Sequence, residues 1–137
     1  MSKFKVIQLL PELNIGGVER GTKDFSKVLV DRGHDSLVIS NGGVFEEDII
    51  EDGGKHINLP IHKKSLFSIR YASDLRDIYL SEKPDIVHVR SRMPAWINYF
   101  AYKKLLHKPI LISTFHGLYS TPLYLSLIHI SEPTRQP

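Results

Sequence analysis

Lys5-Val6-Ile7-Gln8-Leu9-Leu10, closed by Pro11 and followed shortly by Asn14-Ile15-Gly16-Gly17, decides the fold. A short apolar run ended by a residue with no backbone donor reads as a strand buried on both faces of a parallel sheet. After the loop Glu12 to Gly17, the apolar positions Val18, Phe25, Val28 and Leu29 recur at helical spacing, and Gly33 sits where a helix ends. The order is strand, glycine loop, helix.

The same alternation continues along the chain. Ser36 to Ser40 is a second strand with Asn41-Gly42-Gly43 as its turn, and an acidic helix over Glu46 to Glu51 stops at Gly53-Gly54. His56 to Leu59 is a third, weaker strand. Ile69, Ala72, Leu75 and Tyr79 mark one face of a helix for which Ser68 is the expected N-cap and Pro84 the barrier to continuation. Ile86 to Val89 is the fourth strand. Pro94 suits the first turn of a helix whose Trp96, Ile97, Phe100, Ala101 and Leu105 form a broad apolar face, and Ile110 to Phe115 is the fifth strand. Strands and helices alternating at this spacing imply right-handed crossovers, hence an α/β fold with a Rossmann-like, doubly wound parallel sheet.

With 137 residues, 42% hydrophobic and 24% charged, the chain suits one compact domain rather than a disordered segment. No apolar run is long enough to span a membrane, and Met1 to Leu10 lacks the features of a secretion signal, so a cytoplasmic protein is expected. The absence of cysteine excludes disulfides and thiolate metal sites. A formal charge of +3 is mild, and its lysines fall in short patches such as Lys63-Lys64 and Lys103-Lys104, so nucleic-acid binding is not expected. Those patches are either a solvated basic surface or a dock for anionic lipid.

The last stretch reads differently from the rest. Leu125 to Arg135, LSLIHISEPTR, resembles the translation of a transposase adapter used to prepare sequencing libraries. On that reading residues 125–137 are a non-native tail, and residues 1–124 are a partial, truncated domain. Glu132 and Arg135 cancel, so the charge stays at +3 without the tail, while His129 leaves the histidine inventory.

Ligands of open parallel sheets bind outside the carboxyl ends of the strands, where strand order reverses. Four segments are expected on that rim: Asn14 to Arg20, Asn41 to Gly43, Arg90-Ser91-Arg92 and His116-Gly117. Gly16 and Gly17 let the backbone approach a bulky anion at a helix start, or else form a tight turn and nothing more. The pair is neither the G-x-G-x-x-G fingerprint nor a P-loop. Arg90 and Arg92 are either solvated loop charges or guanidinium forks for phosphate or carboxylate oxygens. His116, leaving the fifth strand and followed by glycine, is the best single candidate for contact with a reacting group. Glu19 caps backbone N–H groups or holds Arg20 or a rim arginine in place. His88 reads as a core histidine, and His34, His56, His62 and His107 as surface or turn residues. No pair has metal-ligand spacing with supporting carboxylates, so neither metal nor cofactor is expected, and no hydrolase set of Ser, His and Asp is evident.

Three ordered landmarks, Gly16-Gly17-Val18-Glu19-Arg20, Lys83 to Val89 and Ser113-Thr114-Phe115-His116-Gly117, resemble the family-four retaining glycosyltransferases over roughly Lys3 to Tyr124. The resemblance implies the N-terminal half of a two-domain GT-B enzyme that moves a sugar from a nucleoside diphosphate donor to a glycan or lipid-linked acceptor. It implies that Gly16 and Gly17 face the donor diphosphate and His116 the transferred sugar or the acceptor. Asn14, Arg90 and Arg92 then lie on the acceptor side, with Glu19 and Arg20 as structural support. Many relatives build lipopolysaccharide or other surface glycans at the inner membrane face, which implies possible peripheral membrane contact. Most of the donor site would belong to a C-terminal domain that this chain lacks, so the chain by itself is expected to be nearly inactive. Two alternatives stay open: a non-catalytic doubly wound binding module, and a nucleotide-sugar epimerase of the same architecture.

Overall fold

A computed structural model describes residues 3–63 and 66–114. Five strands and four helices follow the expected order: β1 (Lys5–Leu9), α1 (Gly17–Asp31), β2 (Asp35–Ser40), α2 (Glu46–Glu51), β3 (Lys55–Asn58), α3 (Tyr71–Glu82), β4 (Ile86–Val89), α4 (Arg92–Tyr102) and β5 (Ile110–Ser113). All pairings are parallel, and the sheet order is β3-β2-β1-β4-β5. The chain steps from β1 outward to β3, then returns past β1 to lay β4 on its other side. The reversal therefore falls between β1 and β4.

Register assigns the two faces. Ile7 pairs with Leu37 on one side and Val87 on the other, Val87 pairs with Leu111, and Ile39 pairs with Ile57. Side chains alternate along a strand, so these residues point one way, toward Ala72, Leu75 and Tyr79 of α3 and Ala95, Ile97 and Ala101 of α4. The opposite face carries Gln8, Ser36, Val38, Ser40 and His88. α1 and α2 cover its β1–β3 part, where Leu10, Leu13, Val38, Phe45 and Ile49 form a smaller apolar cluster. Among the described residues no helix is long and apolar enough to cross a membrane.

Two local expectations are corrected. α1 does not bury Phe25 and Val28, which are 38% and 45% exposed; it buries Thr22, Ser26 and Leu29. At 100° per residue, the stripe that meets the sheet runs through Val18, Thr22, Ser26 and Leu29, and the sheet there offers polar partners: Ser26 Oγ and Ser36 Oγ are 2.6 Å apart. Ser68 is not the cap of α3. It lies in a 3₁₀ turn over Leu66–Arg70, where its hydroxyl donates to the Lys63 carbonyl at 3.1 Å, and the cap position falls to Arg70. The fifth strand is described to Ser113, so Phe115 lies outside the described residues.

α3 and α4 also share a buried polar contact. The Tyr79 hydroxyl donates to Asn98 Oδ1 at 2.5 Å, and burial pushes that phenol well above its ordinary pKa, so it remains a donor at neutral pH.

Candidate active site at the strand-order reversal

The carboxyl end of β1 is tied to that of β2 by backbone hydrogen bonds across two loops. Leu13 N–H donates to the Gly42 carbonyl (2.9 Å), Asn41 N–H to Pro11 (2.9 Å) and Phe45 N–H to Leu13 (3.0 Å). Gly43, at φ +148°, allows this approach: a Cβ there would stand 2.6 Å from the Leu13 carbonyl carbon and 2.8 Å from the Asn14 amide. Asn14 is exposed and its Nδ2 donates to Glu12 Oε2 at 2.7 Å, which fixes the amide at the loop's surface.

Gly16 is the N-cap of α1, in extended backbone and with no side-chain cap hydrogen bond. The first amides of a helix have no intrahelical acceptor and carry the positive end of its dipole. Gly17 at the first helical position is exposed, which leaves this helix start open to solvent. Glu19, three residues after the cap, folds back so that its Oε1 lies 2.5 Å from where a Cβ on Gly16 would stand. Its carboxylate thus sits beside the helix start, where an anion is favoured. Arg20 turns the other way, its guanidinium 5.6 Å from the centre of the Phe45 ring, and braces the two loops.

Across the reversal, β4 leads through Arg90 and Ser91 into α4, whose N-cap is Ser91. Two helix starts, those of α1 and α4, therefore flank the β1–β4 boundary. Arg92 is exposed in the first turn of α4. Arg90 behaves differently: its side chain lies back against the sheet, half-buried, and its Nε donates to Gln8 Oε1 at 2.9 Å. Burial pulls its pKa below the ordinary arginine value, and among the described residues no acidic side chain pairs with it. His88 lies in β4 as expected but is only partly buried, with Nε2 2.9 Å from Thr114 Oγ1. Arg90, His88, Val6, Phe25, Ile86 and Ile112 line a groove of about 430 Å³ along the α1 side of β1 and β4. His116 and Gly117 lie outside the described residues.

Two groups escaped the sequence reading. Gln8 stands in the sequence as one polar residue in an apolar run, yet it is fully buried at the centre of the sheet and bonded to Arg90. His56 is not a surface residue: its side chain is 2% exposed. Its Nε2 is 2.8 Å from Ser40 Oγ, which accepts the Gly42 amide at 2.9 Å, and its Nδ1 is 3.6 Å from Glu46 Oε1. Burial pulls the imidazole below its ordinary pKa, and Glu46 draws it partly back. Ser40 is fully buried, so this set fastens the β2–α2 turn rather than meeting substrate. Period-two alternation was the signal that could have found it, since Ser40 and His56 fall on one face of adjacent strands.

Comparison with known proteins gives this rim its family. The Glycosyltransferase Family 4 model matches residues 15–135. The chain belongs to that family. A solved glycosyltransferase from Rickettsia africae ESF-5 shares 35% identity with it over 94% of this chain and 34% of its own, with a TM-score of 0.78. The glycotransferase of kitacinnamycin (14% identity, 90% and 33% coverage, TM-score 0.55) shares the fold. A putative UDP-N-acetylglucosamine 2-epimerase from Listeria monocytogenes (12% identity, 82% and 31% coverage, TM-score 0.53) shares it too. No curated protein matches the chain. This family-four chain spans about a third of the length of the solved glycosyltransferase from Rickettsia africae ESF-5. Its sheet is the Rossmann-like fold of GT-B glycosyltransferases.

Proposed function

We propose that this chain is the acceptor-side part of an enzyme that transfers a hexose-like sugar from a nucleoside diphosphate sugar to a glycan or lipid-linked hydroxyl, in the synthesis of cell-surface polysaccharide or lipopolysaccharide. One observation carries the reading. The reversal between β1 and β4 brings the Gly16-Gly17 helix start and the Arg90 to Arg92 segment to the same rim, and such reversals are where open α/β sheets bind ligands. In this reading the α1 amides face the donor diphosphate, Asn14, Arg90 and Arg92 face the acceptor side, and His116 faces the transferred sugar or the acceptor. Glu19 and Arg20 shape the loop. Catalysis by such a site rests on positioning and on stabilising leaving-group charge.

The donor nucleotide is then held mainly by a second domain, and this chain alone is nearly inactive. In the same reading residues 1–124 are a partial N-terminal domain and 125–137 an adapter-derived tail, which adapter-trimmed resequencing of the source DNA tests: native codons continuing unchanged through Arg135 would reject the tail. Exposed Lys103 and Lys104, beside Leu106 at 95% exposure, support peripheral contact with an anionic inner membrane face. Salt-sensitive sedimentation with anionic vesicles is expected, and none at low salt rejects that contact.

The activity is tested in the enzyme carrying both domains. Transfer of labelled sugar to acceptor is expected, and His116→Ala lowers kcat/KM on the order of 10²-fold. Unchanged transfer in His116→Ala removes that residue from the site. An epimerised sugar nucleotide formed without acceptor would instead support the epimerase reading.

A further inference from the structure

A glutamine with no solvent exposure in the middle of the central strand requires a physical reason. Its neighbours Ile7 and Leu9 are fully buried, and an aliphatic side chain at position 8 would need no partners. A buried amide costs free energy unless its polar atoms are bonded. Gln8 satisfies both ends. Its Nε2 donates to the Thr22 backbone carbonyl of α1 at 3.2 Å, and its Oε1 accepts from Arg90 Nε at 2.9 Å. Thr22 is itself fixed, its hydroxyl donating to the Val18 carbonyl at 2.9 Å. The amide therefore links the first turns of α1, the helix that starts at Gly17, to the arginine on the other side of the reversal.

We infer that Gln8 is a positioning residue, which aims the Arg90 guanidinium by holding Nε and so commits it to grip substrate oxygens end-on, through its two Nη groups. The inference rests on the reading that Arg90 faces substrate. Guanidinium can present either its Nε–Nη side or its Nη–Nη end to a pair of oxygens. With Nε taken, the end-on pair remains. Tethering the planar group at Nε also restricts its rotation, so less freedom is lost when a ligand binds. The choice of an amide matters as much as its place. A glutamate at position 8 would still accept from Nε, but it would neutralise the charge and give up the donor to the Thr22 carbonyl, whereas a neutral amide serves both partners and leaves the full positive charge of Arg90 for an anionic substrate group.

Gln8→Leu removes the tether and keeps the charge; Gln8→Glu keeps the acceptor for Arg90 Nε, cancels the charge and loses the donor to the Thr22 carbonyl. In ¹⁵N spectra of the protein, the Arg90 Nε–H is expected to be slowly exchanging in the parent and in Gln8→Glu, and to lose that protection in Gln8→Leu while the backbone amides of β1 stay protected. In the two-domain enzyme, Gln8→Leu and Gln8→Glu are each expected to lower kcat/KM on the order of 10-fold, chiefly through KM. In an Arg90→Ala background, Gln8→Leu is expected to cost nothing further, because the group it aims is gone. A merely structural role predicts an equal loss in both backgrounds, which overturns the inference. So does an Arg90 Nε–H that stays protected in Gln8→Leu, or parent-level kcat/KM in Gln8→Leu when Arg90→Ala is impaired. If Arg90→Ala itself transfers at the parent rate, the substrate-facing reading of Arg90 fails first, and the positioning role goes with it.

Discussion

The two faces of the sheet are made by the same strands and differ in chemistry. Toward α3 and α4 stand Ile7, Leu9, Leu37, Ile39, Val87 and Val89, all buried and all apolar. Toward α1 and α2 stand Gln8, Ser36, Ser40, His56 and His88, interleaved with Val6 and Val38 and joined by hydrogen bonds to Thr22, Ser26, Arg90 and Thr114. An apolar face holds through area removed from water, which tolerates small shifts in side-chain angle. A hydrogen-bonded face is directional, and each atom in it fixes its partner. The polar face also runs into the rim through Gln8 and Arg90. The first face keeps the sheet together, and the second sets the aim of what the sheet carries.

That contrast can be broken most forcefully on the apolar side. Leu9→Ala leaves a cavity under α3 and α4 and is expected to cost about 2–5 kcal/mol in urea unfolding. A loss near that of an exposed leucine would mean that this face does not hold the fold. On the polar side Ser26→Ala leaves the Ser36 hydroxyl buried without its partner, at an expected cost of about 1–3 kcal/mol. Adding Ser36→Ala should recover part of that cost, because both ends of the bond are then gone. A double variant that is the sum of two full losses would make the pair a packing contact.

A weaker effect belongs to His56. Its folded pKa lies below the unfolded value, so the unfolded chain binds the proton more readily. The contribution of this group is complete above the ordinary histidine pKa of about 6.5 and is lost as pH falls from there through the lower folded value. His56→Gln should flatten that acid-side slope in thermal unfolding; an unchanged slope would assign it to other groups. At the small end, Lys27 and Asp31 pair at 3.0 Å on the outer surface of α1. Lys27→Ala is expected to leave the unfolding midpoint where it is, since solvent screens such pairs.

How much of this could be read from the sequence follows the same division. The apolar face announces itself: Ile7, Leu9, Val87 and Val89 sit in runs that can only be buried strands, and the order of elements came out as read. Strand ends moved by a residue or so, because ladder bonds such as Leu10 N–H to the Ile39 carbonyl continue past the regular strand. The polar face was hidden. Hydrophobic periodicity alone points to Phe25 and Val28 as the buried stripe of α1, whereas Thr22 and Ser26 face a sheet that supplies hydroxyl and amide partners. Gln8, Ser40 and His56 gave no signal singly, since each depends on a partner 14 to 82 residues away. The rim itself was legible, through the Gly16-Gly17 pair and the arginines after the fourth strand. What Arg90 leans on was not.

The claim that matters most is that the rim at the β1–β4 reversal receives a phosphate-bearing substrate. Amide shifts of ¹⁵N-labelled protein titrated with pyrophosphate test it most directly. The largest changes are expected at Gly16, Gly17 and Val18 and at Arg90, Ser91 and Arg92, on the two sides of the reversal. Changes confined to exposed lysines such as Lys103 and Lys104, or to the opposite end of the sheet at Asp35 and Asp85, would contradict it.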